Sequence, residues 1–284
     1  MNDTPGNFLE GKVNRILVPV NFSPKTSLVL EHAIAVAHVY GASLLLMHVL
    51  NATAFVANSV PGATLEILQR SESALEELAE SVRMQHIDCQ ILMRKGDLDT
   101  QIEQVIAEYR VDILVLGTQA ASNFGGFALA STAERILRKT MIPVLTVADC
   151  RPVRKWVGEG HFHVFGVTDL SPESIRNFEY ARALRRRLPV EYTLAHVLPK
   201  HATPERIEAA TEQLHAVVQF ADTKVEVLEG AIGPTICQAS ARAGADLIIT
   251  SVRKHSVLRE ILLGHTLLEI LYGASCPVLT IRME

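Results

Sequence analysis

Two stretches of this 284-residue chain repeat each other at fixed spacing, and that duplication limits what the chain can fold into. Val111-Asp-Ile-Leu-Val-Leu-Gly117 and the later Pro143-Val-Leu-Thr-Val147 return 134 residues on as Ala245-Asp-Leu-Ile-Ile-Thr-Ser251 and Pro277-Val-Leu-Thr-Ile281. Gly96 and Gly230 keep the same offset. Asn21-Phe-Ser-Pro24 matches Asp169-Leu-Ser-Pro172 at an offset of 148, as His48-Val-Leu50 matches His196-Val-Leu198. The first half therefore carries about fourteen more residues between His48 and Gly96. A unit this long is a domain and exceeds solenoid size. The expected domains are residues 1–150 and 161–284, joined by a charged, glycine-containing linker at 151–160.

Each half alternates short apolar runs with helical periodicity. The runs predict strands at 15–20, 43–50, 89–93, 112–116 and 144–147, then at 163–167, 191–197, 224–228, 246–250 and 278–281. Helices are expected at 26–40, 64–85, 99–109 and 132–139, then at 172–187, 204–220, 235–243 and 266–272. Ser23 is expected to cap the first helix, with Pro24 at its first position. Apolar residues make up 48% of the chain and aromatics 5%, so the cores must be Ala, Val, Leu and Ile, the composition of a helix-covered parallel sheet. The fold class is α/β: two tandem doubly wound domains, each a five-stranded parallel sheet flanked by helices. Ligands of such sheets sit beyond the carboxyl ends of the strands.

A net charge of -4 gives no long-range attraction for nucleic acid or an anionic membrane, and neither partner is expected. The hydrophobic stretch from Val29 to Leu50 contains Glu31, His32, His38, Gly41 and His48 and reads as helix, turn and strand, not a membrane span. Cys89, Cys150, Cys237 and Cys276 have no paired-ligand spacing, and the polar N-terminal residues lack an apolar targeting core. Buried thiols and a cytoplasmic location are the expectation.

With these landmarks the chain resembles a universal stress protein with two tandem domains. The resemblance rests on the Asn21/Asp169-x-Ser-Pro start, the His-Val of the second strand, the Gly96/Gly230 turn and the closing Pro-Val-Leu-Thr strand. It implies an adenine nucleotide alpha hydrolase-like fold. It further implies that nucleotide-binding members carry Gly-x2-Gly-x9-Gly-Ser/Thr after the fourth strand and an Asp after the first. There the glycines admit phosphates to the backbone, the hydroxyl opens a helix whose dipole favours an anion, and the Asp contacts the adenine side. Neither half keeps the full set. The first has Gly117, Ala120, Ala130 and Ser131 at the right spacing, with Asn21 in place of the Asp. The second has Ser251, Lys254, Gly264 and His265, and retains Asp169. A Cβ at a positive-φ position costs about 1–2 kcal/mol. Two such changes weaken a site by roughly ten- to a thousandfold.

Each of these residues also has a structural reading. Ser131-Thr-Ala-Glu134 is a capping box. Gly117 can simply end a strand, and Asn21 and Asp169 can start a Ser-Pro turn. Lys254 offers a phosphate donor but is ordinarily a solvated lysine. His161 and His163 would share one strand face, half of a zinc site that no other ligand completes, so a strand-edge pair is expected and no metal. His48 and His196 recur at one place, which points to a hydrogen bond at the strand end. Arg182, Arg185, Arg186 and Arg187 form a solvated basic face.

Three functional readings follow. In the first, the chain is a stress-response regulatory protein binding ATP at Asn21, Gly117, Ala120, Ala130 and Ser131, with Asp169 and Gly264 as remnants of a second site. In the second, it is a nucleotide-free scaffold acting through protein partners. In the third, it is an enzyme, which ranks last because no nucleophile–base arrangement is visible and no catalytic residue can be named. The resemblance also implies pairing through the last strands, 144–147 and 278–281, either between chains as a homo-oligomer or within one chain as a pseudo-dimer.

Overall fold

The computed structural model describes residues 12–50, 63–118, 135–148, 150, 153, 160–175, 177–218, 223–253 and 260–283. In the first half, β1 (Arg15–Pro19), α1 (Thr26–Tyr40), β2 (Ser43–Leu50), α2 (Ala63–Arg83), β3 (Cys89–Lys95), α3 (Leu98–Tyr109) and β4 (Ile113–Gly117) alternate. A helical segment at 135–139 then leads to β5 (Val144–Val147). The second half repeats the order: β6 (Phe162–Val167), one helical turn Pro172–Ile175, α4 (Asn177–Arg185), β7 (Val190–Leu198), α5 (Pro204–Val217), β8 (Thr223–Glu229), α6 (Ile232–Arg242), β9 (Leu247–Arg253), α7 (Glu260–Gly273) and β10 (Val278–Met283).

The two halves merge into one ten-stranded sheet of order β3-β2-β1-β4-β5-β10-β9-β6-β7-β8. All pairings are parallel except the central one, where β10 runs antiparallel to β5 with Leu279 opposite Leu145. These two leucines are equivalent in the repeat, so a pseudo-two-fold axis passes between them. The pairing left open by the sequence is therefore made within the chain. Val36, Tyr40, Tyr180 and Leu184 close over the two leucines, leaving an apolar cavity of about 20 Å³, room for no more than a water.

Side chains alternate along each strand between the two faces of the sheet. One face packs under α1, α2, α4 and α5, with Ile16, Leu44, Val115, Leu145, Val164, Leu194 and Leu279 in one continuous core. The other packs under α3, 135–139, α6 and α7, with Leu17, Met47, Leu114, Val144, Phe165, Ile248 and Val278. Both cores run unbroken across the seam. Arg187 also reaches across it, its guanidinium 5.8 Å from the centre of the Tyr40 ring, so one member of the arginine face is a packing residue.

Repeated residues explain themselves locally. Asp112 Oδ2 accepts from the Asn14 and Arg15 amides at 2.7 and 3.0 Å, and Asp246 Oδ2 accepts from the His163 amide at 2.9 Å, tying the start of the fourth strand to that of the first. Gly96 and Gly230 have φ of +126° and +147°, which a side chain resists, and each donates back to the end of the second strand.

Candidate functional site

Within each half the strand order reverses between the first and fourth strands, the place where doubly wound sheets open a crevice. The structure shows that opening. The β1–β4 pairing stops at Leu17 opposite Leu114, although the strands continue to Pro19 and Gly117. Asn21 and Gly117 flank this crevice. In the second half Asp169 and Ser251 flank its equivalent, where β6 and β9 part after Gly166 and Ile249.

The turn after the first strand is built alike in both halves. Asn21 Oδ1 accepts from the Ser23 amide at 3.1 Å, and Asp169 Oδ1 accepts from the Ser171 amide at 3.1 Å, each an Asx turn. The intervening Phe22 and Leu170 are left-handed, with φ of 54° and 65°. His48 Nδ1 donates to the Val20 carbonyl at 2.8 Å, and His196 Nδ1 to that of Thr168 at 2.8 Å. These are the strand-end hydrogen bonds expected from the recurrence of the two histidines. Phe22 lies beside His48 at the crevice mouth, ring centres 4.6 Å apart.

The helix starts differ. In the second half Pro172 is the first helical residue and Ser171 Oγ accepts from the Ser174 amide at 3.2 Å, a closed N-cap. Thr168 Oγ1 and Ser174 Oγ lie 2.7 Å apart in the same hydroxyl network. In the first half the expectation of a Ser23 cap with Pro24 at the first position is corrected. Ser23, Pro24 and Lys25 form a turn in which the Ser23 carbonyl accepts from the Thr26 amide, and Lys25 becomes the N-cap with no side-chain cap bond. With no acidic residue in its first turn, α1 presents an uncapped, positive N-terminus to the crevice.

The ends of the fourth strands also differ. Gly117 closes β4 opposite Val147 and is exposed, but a Cβ there would meet Val29 Cγ2 of α1 at 2.7 Å, so its lack of a side chain lets the helix approach the strand. In the second half β9 continues through Ser251 to Arg253, paired with β10 as far as Met283, beyond the expected ends of both. α7 begins at Glu260 and not at 266, which places Gly264 and His265 inside the helix. Leucine and isoleucine before Gly264 favour helix, and one internal glycine costs only about 1 kcal/mol. Ala120, Ala130, Ser131 and Lys254 lie outside the described residues.

A charge cluster joins the start of α3 to the 135–139 segment, and no local sequence rule announces it. Asp99, 4% exposed in the first turn of α3, accepts from Arg135 Nε and Nη2 at 3.2 and 3.3 Å and from Lys139 Nζ at 3.1 Å. Hydrogen bonding with Asp97, then with Arg135 and Lys139, holds the Asp99 carboxyl well below the usual carboxylate range. The equivalents in the second half are Gly233, Glu269 and Gly273. Three coincident departures between repeats were the available signal. The zinc reading finds no support: His163 places Nδ1 2.9 Å from the Ala243 carbonyl and Nε2 2.9 Å from Thr193 Oγ1. Among the described residues no group of three or more His, Cys, Asp or Glu side chains is arranged to hold a metal. Cys89, Cys150, Cys237 and Cys276 form no disulfide with one another, and Cys89 and Cys276 are buried.

A parallel sheet in two wound halves, with a crevice at each switch point and the last strands paired at a pseudo-two-fold, defines a tandem pseudo-dimer of doubly wound α/β domains. The model of the universal stress protein family matches residues 12–148 and 163–282, and the chain belongs to that family. It is similar to a universal stress protein of Methanocaldococcus jannaschii, 23% identical over 142 residues, which cover 49% of this chain and 84% of the relative. The structure is similar to a universal stress protein of Archaeoglobus fulgidus, with a TM-score of 0.77 at 20% identity, covering 97% of this chain and 98% of that one. A functionally unknown protein of Pseudomonas aeruginosa is also similar, at a TM-score of 0.69 and 18% identity over 96% and 94% of the two chains. No helix among the described residues is long and apolar enough to cross a membrane.

Proposed function

We propose that the first half binds an adenine nucleotide, ATP in the first instance, in the crevice between β1 and β4, and that the protein is a regulatory binding module and not a dedicated enzyme. The phosphates would lie toward Gly117, Ala120, Ala130 and Ser131, with the base on the Asn21 side. The observation that carries this reading is the difference between the two fourth-strand ends: β4 stops at Gly117, whose backbone is exposed beside the crevice, whereas β9 runs on through Ser251 and Gly264 lies within α7, which argues against a phosphate loop in the second half. The second half then serves as the partner that closes the sheet.

The residues fit such a ligand at the described positions, since Gly117 presents exposed backbone at the crevice. The test is thermal stabilisation by ATP, ADP and AMP with Mg²⁺, repeated on Ser131→Ala. Ligand binding to the native state raises the melting point once its concentration exceeds Kd. ATP should stabilise the wild type and stabilise the variant much less. No shift at millimolar nucleotide would replace this reading with a scaffold acting through protein partners.

A further inference from the structure

The sheet ends in two open edges. β3 and β8 are its outermost strands, and among the described residues no strand pairs with the outer side of either. They are equivalent in the repeat, Cys89–Lys95 matching Thr223–Glu229 residue for residue. The Leu44 amide donates to the Asp88 carbonyl at 2.8 Å and the Gly96 amide to the Leu50 carbonyl at 3.1 Å, so the even-numbered backbone groups of β3 turn toward β2. Its odd-numbered groups, at Cys89, Ile91, Met93 and Lys95, face the open edge. Ile91 and Met93 pack on one core and Leu92 on the other, yet all three stay only half-buried and leave apolar surface along the edge. From Cys89 to Met93 the strand carries no charged residue, and such an edge is a template for another strand.

β3 is complementary to itself. In an antiparallel pair centred on Leu92, Ile91 lies opposite Met93 and Cys89 opposite Lys95, so every outward backbone group meets another, for about eight ladder hydrogen bonds. Leu92 then lies opposite Leu92, and Gln90 opposite Arg94, whose guanidinium holds Glu108 Oε2 at 2.7 Å. The equivalent pairing of β8 sets Glu226 against Glu226 at a non-hydrogen-bonded position, where opposed Cα atoms come within about 4.5 Å and like charges repel. Arg242, 3.4 Å from Glu226 and 68% exposed in its side chain, offsets that repulsion little. Pairing β3 head-to-tail with β8 in the same register sets Arg94 against Lys224. Of these three antiparallel pairings, only β3 with β3 opposes no like charges.

We propose that two copies of the chain pair through their β3 edges, antiparallel about Leu92, so that one sheet continues across both chains. The interface is two-fold and closes at two copies, because the outer ends of the joined sheet are the β8 edges that Glu226 guards. The crevice between β1 and β4 is separated from the joint by β2, so pairing does not depend on nucleotide.

The test is sedimentation equilibrium of the full chain over a concentration series, for wild type, Leu92→Glu, Leu92→Gln and Glu226→Leu. Wild type should rise from the 31.2 kDa of one chain to twice that mass and stop there. Leu92→Glu, which gives β3 the charge that β8 carries, should weaken the dimer at least about tenfold, and the neutral Leu92→Gln should weaken it less. Glu226→Leu unguards the second edge and should build assemblies larger than a dimer. Hydrogen exchange of the wild type gives a readout that needs no variant to fold. The Ile91 and Met93 amides should slow as concentration rises, while those of Val225 and Val227 keep a constant rate. A monomer up to about 1 mM overturns the proposal. So does a dimer that Leu92→Glu leaves intact, or concentration-dependent protection that spares β3.

Discussion

Gly117 has two possible reasons to be glycine, and a double-mutant cycle separates them. Its φ lies outside the left-handed range, so alanine fits the backbone, but the new Cβ would sit 2.7 Å from Val29 Cγ2. Ordinary carbon contact begins near 3.5 Å, so the methyl groups would overlap by about 0.8 Å. Val29 is 5% exposed and β-branched, with no spare rotamer to retreat into. Overpacking of this kind costs about 1–3 kcal/mol. Gly117→Ala should therefore lower stability by about 2 kcal/mol in the wild type. In a Val29→Ala background, which removes Cγ2, the same change should cost less than about 0.5 kcal/mol. Urea unfolding followed by far-ultraviolet circular dichroism gives the four stabilities, and the coupling should be about 1.5 kcal/mol. Equal costs in both backgrounds would refute the packing explanation. Nucleotide titration of the double variant then asks the other question. Retained ATP affinity shows that Gly117 clears a path for α1, whereas loss of affinity with restored packing shows that the phosphates need the bare backbone.

Tyr192 Oη is buried with no hydrogen-bond partner among the described residues, and a Cβ on Gly166 would come within 1.9 Å of it. Tyr192→Phe should raise stability by about 1 kcal/mol in urea unfolding, while Gly166→Ala should lower it by at least about 3 kcal/mol. Asp99 has a depressed carboxyl pKa, so its ionisation contributes stability that is present above the unfolded value near pH 4 and lost as pH falls toward the lower folded value. The stability difference between wild type and Asp99→Asn should be flat from about pH 5 to 8 and shrink below about pH 4 in acid-unfolding curves. Because both cores cross the seam, calorimetry should show one cooperative transition for the whole chain, and two well-separated peaks would contradict a shared core.

The duplication made most of the fold legible. Apolar runs placed the ten strands of the sheet within a few residues, because a strand buried on both faces, as the inner ones are, needs nothing but such a run. What the sequence did not show was context. Ser23-Pro24 and Ser171-Pro172 look alike, yet only the second forms a cap, because Lys25 becomes the N-cap of α1 after a turn. Ser251 and Gly264 keep the spacing of a loop signature, but strand pairing with β10 and helix propensity around Gly264 absorb them. Asp99 and Arg135 are 36 residues apart, and no local rule joins them. Their pairing appears only when the fold brings α3 against 135–139. The seam was visible as a choice of two pairings, which the repeat leaves open, and the structure makes it within the chain, with Leu145 meeting its own equivalent Leu279.

The central claim is one working nucleotide site per chain, in the first half. Native mass spectrometry of the intact chain in Mg²⁺-ATP measures it directly. The account predicts a single ATP on each 31.2 kDa chain, lost in Ser131→Ala. Two nucleotides per chain, or none at millimolar ATP, would contradict it.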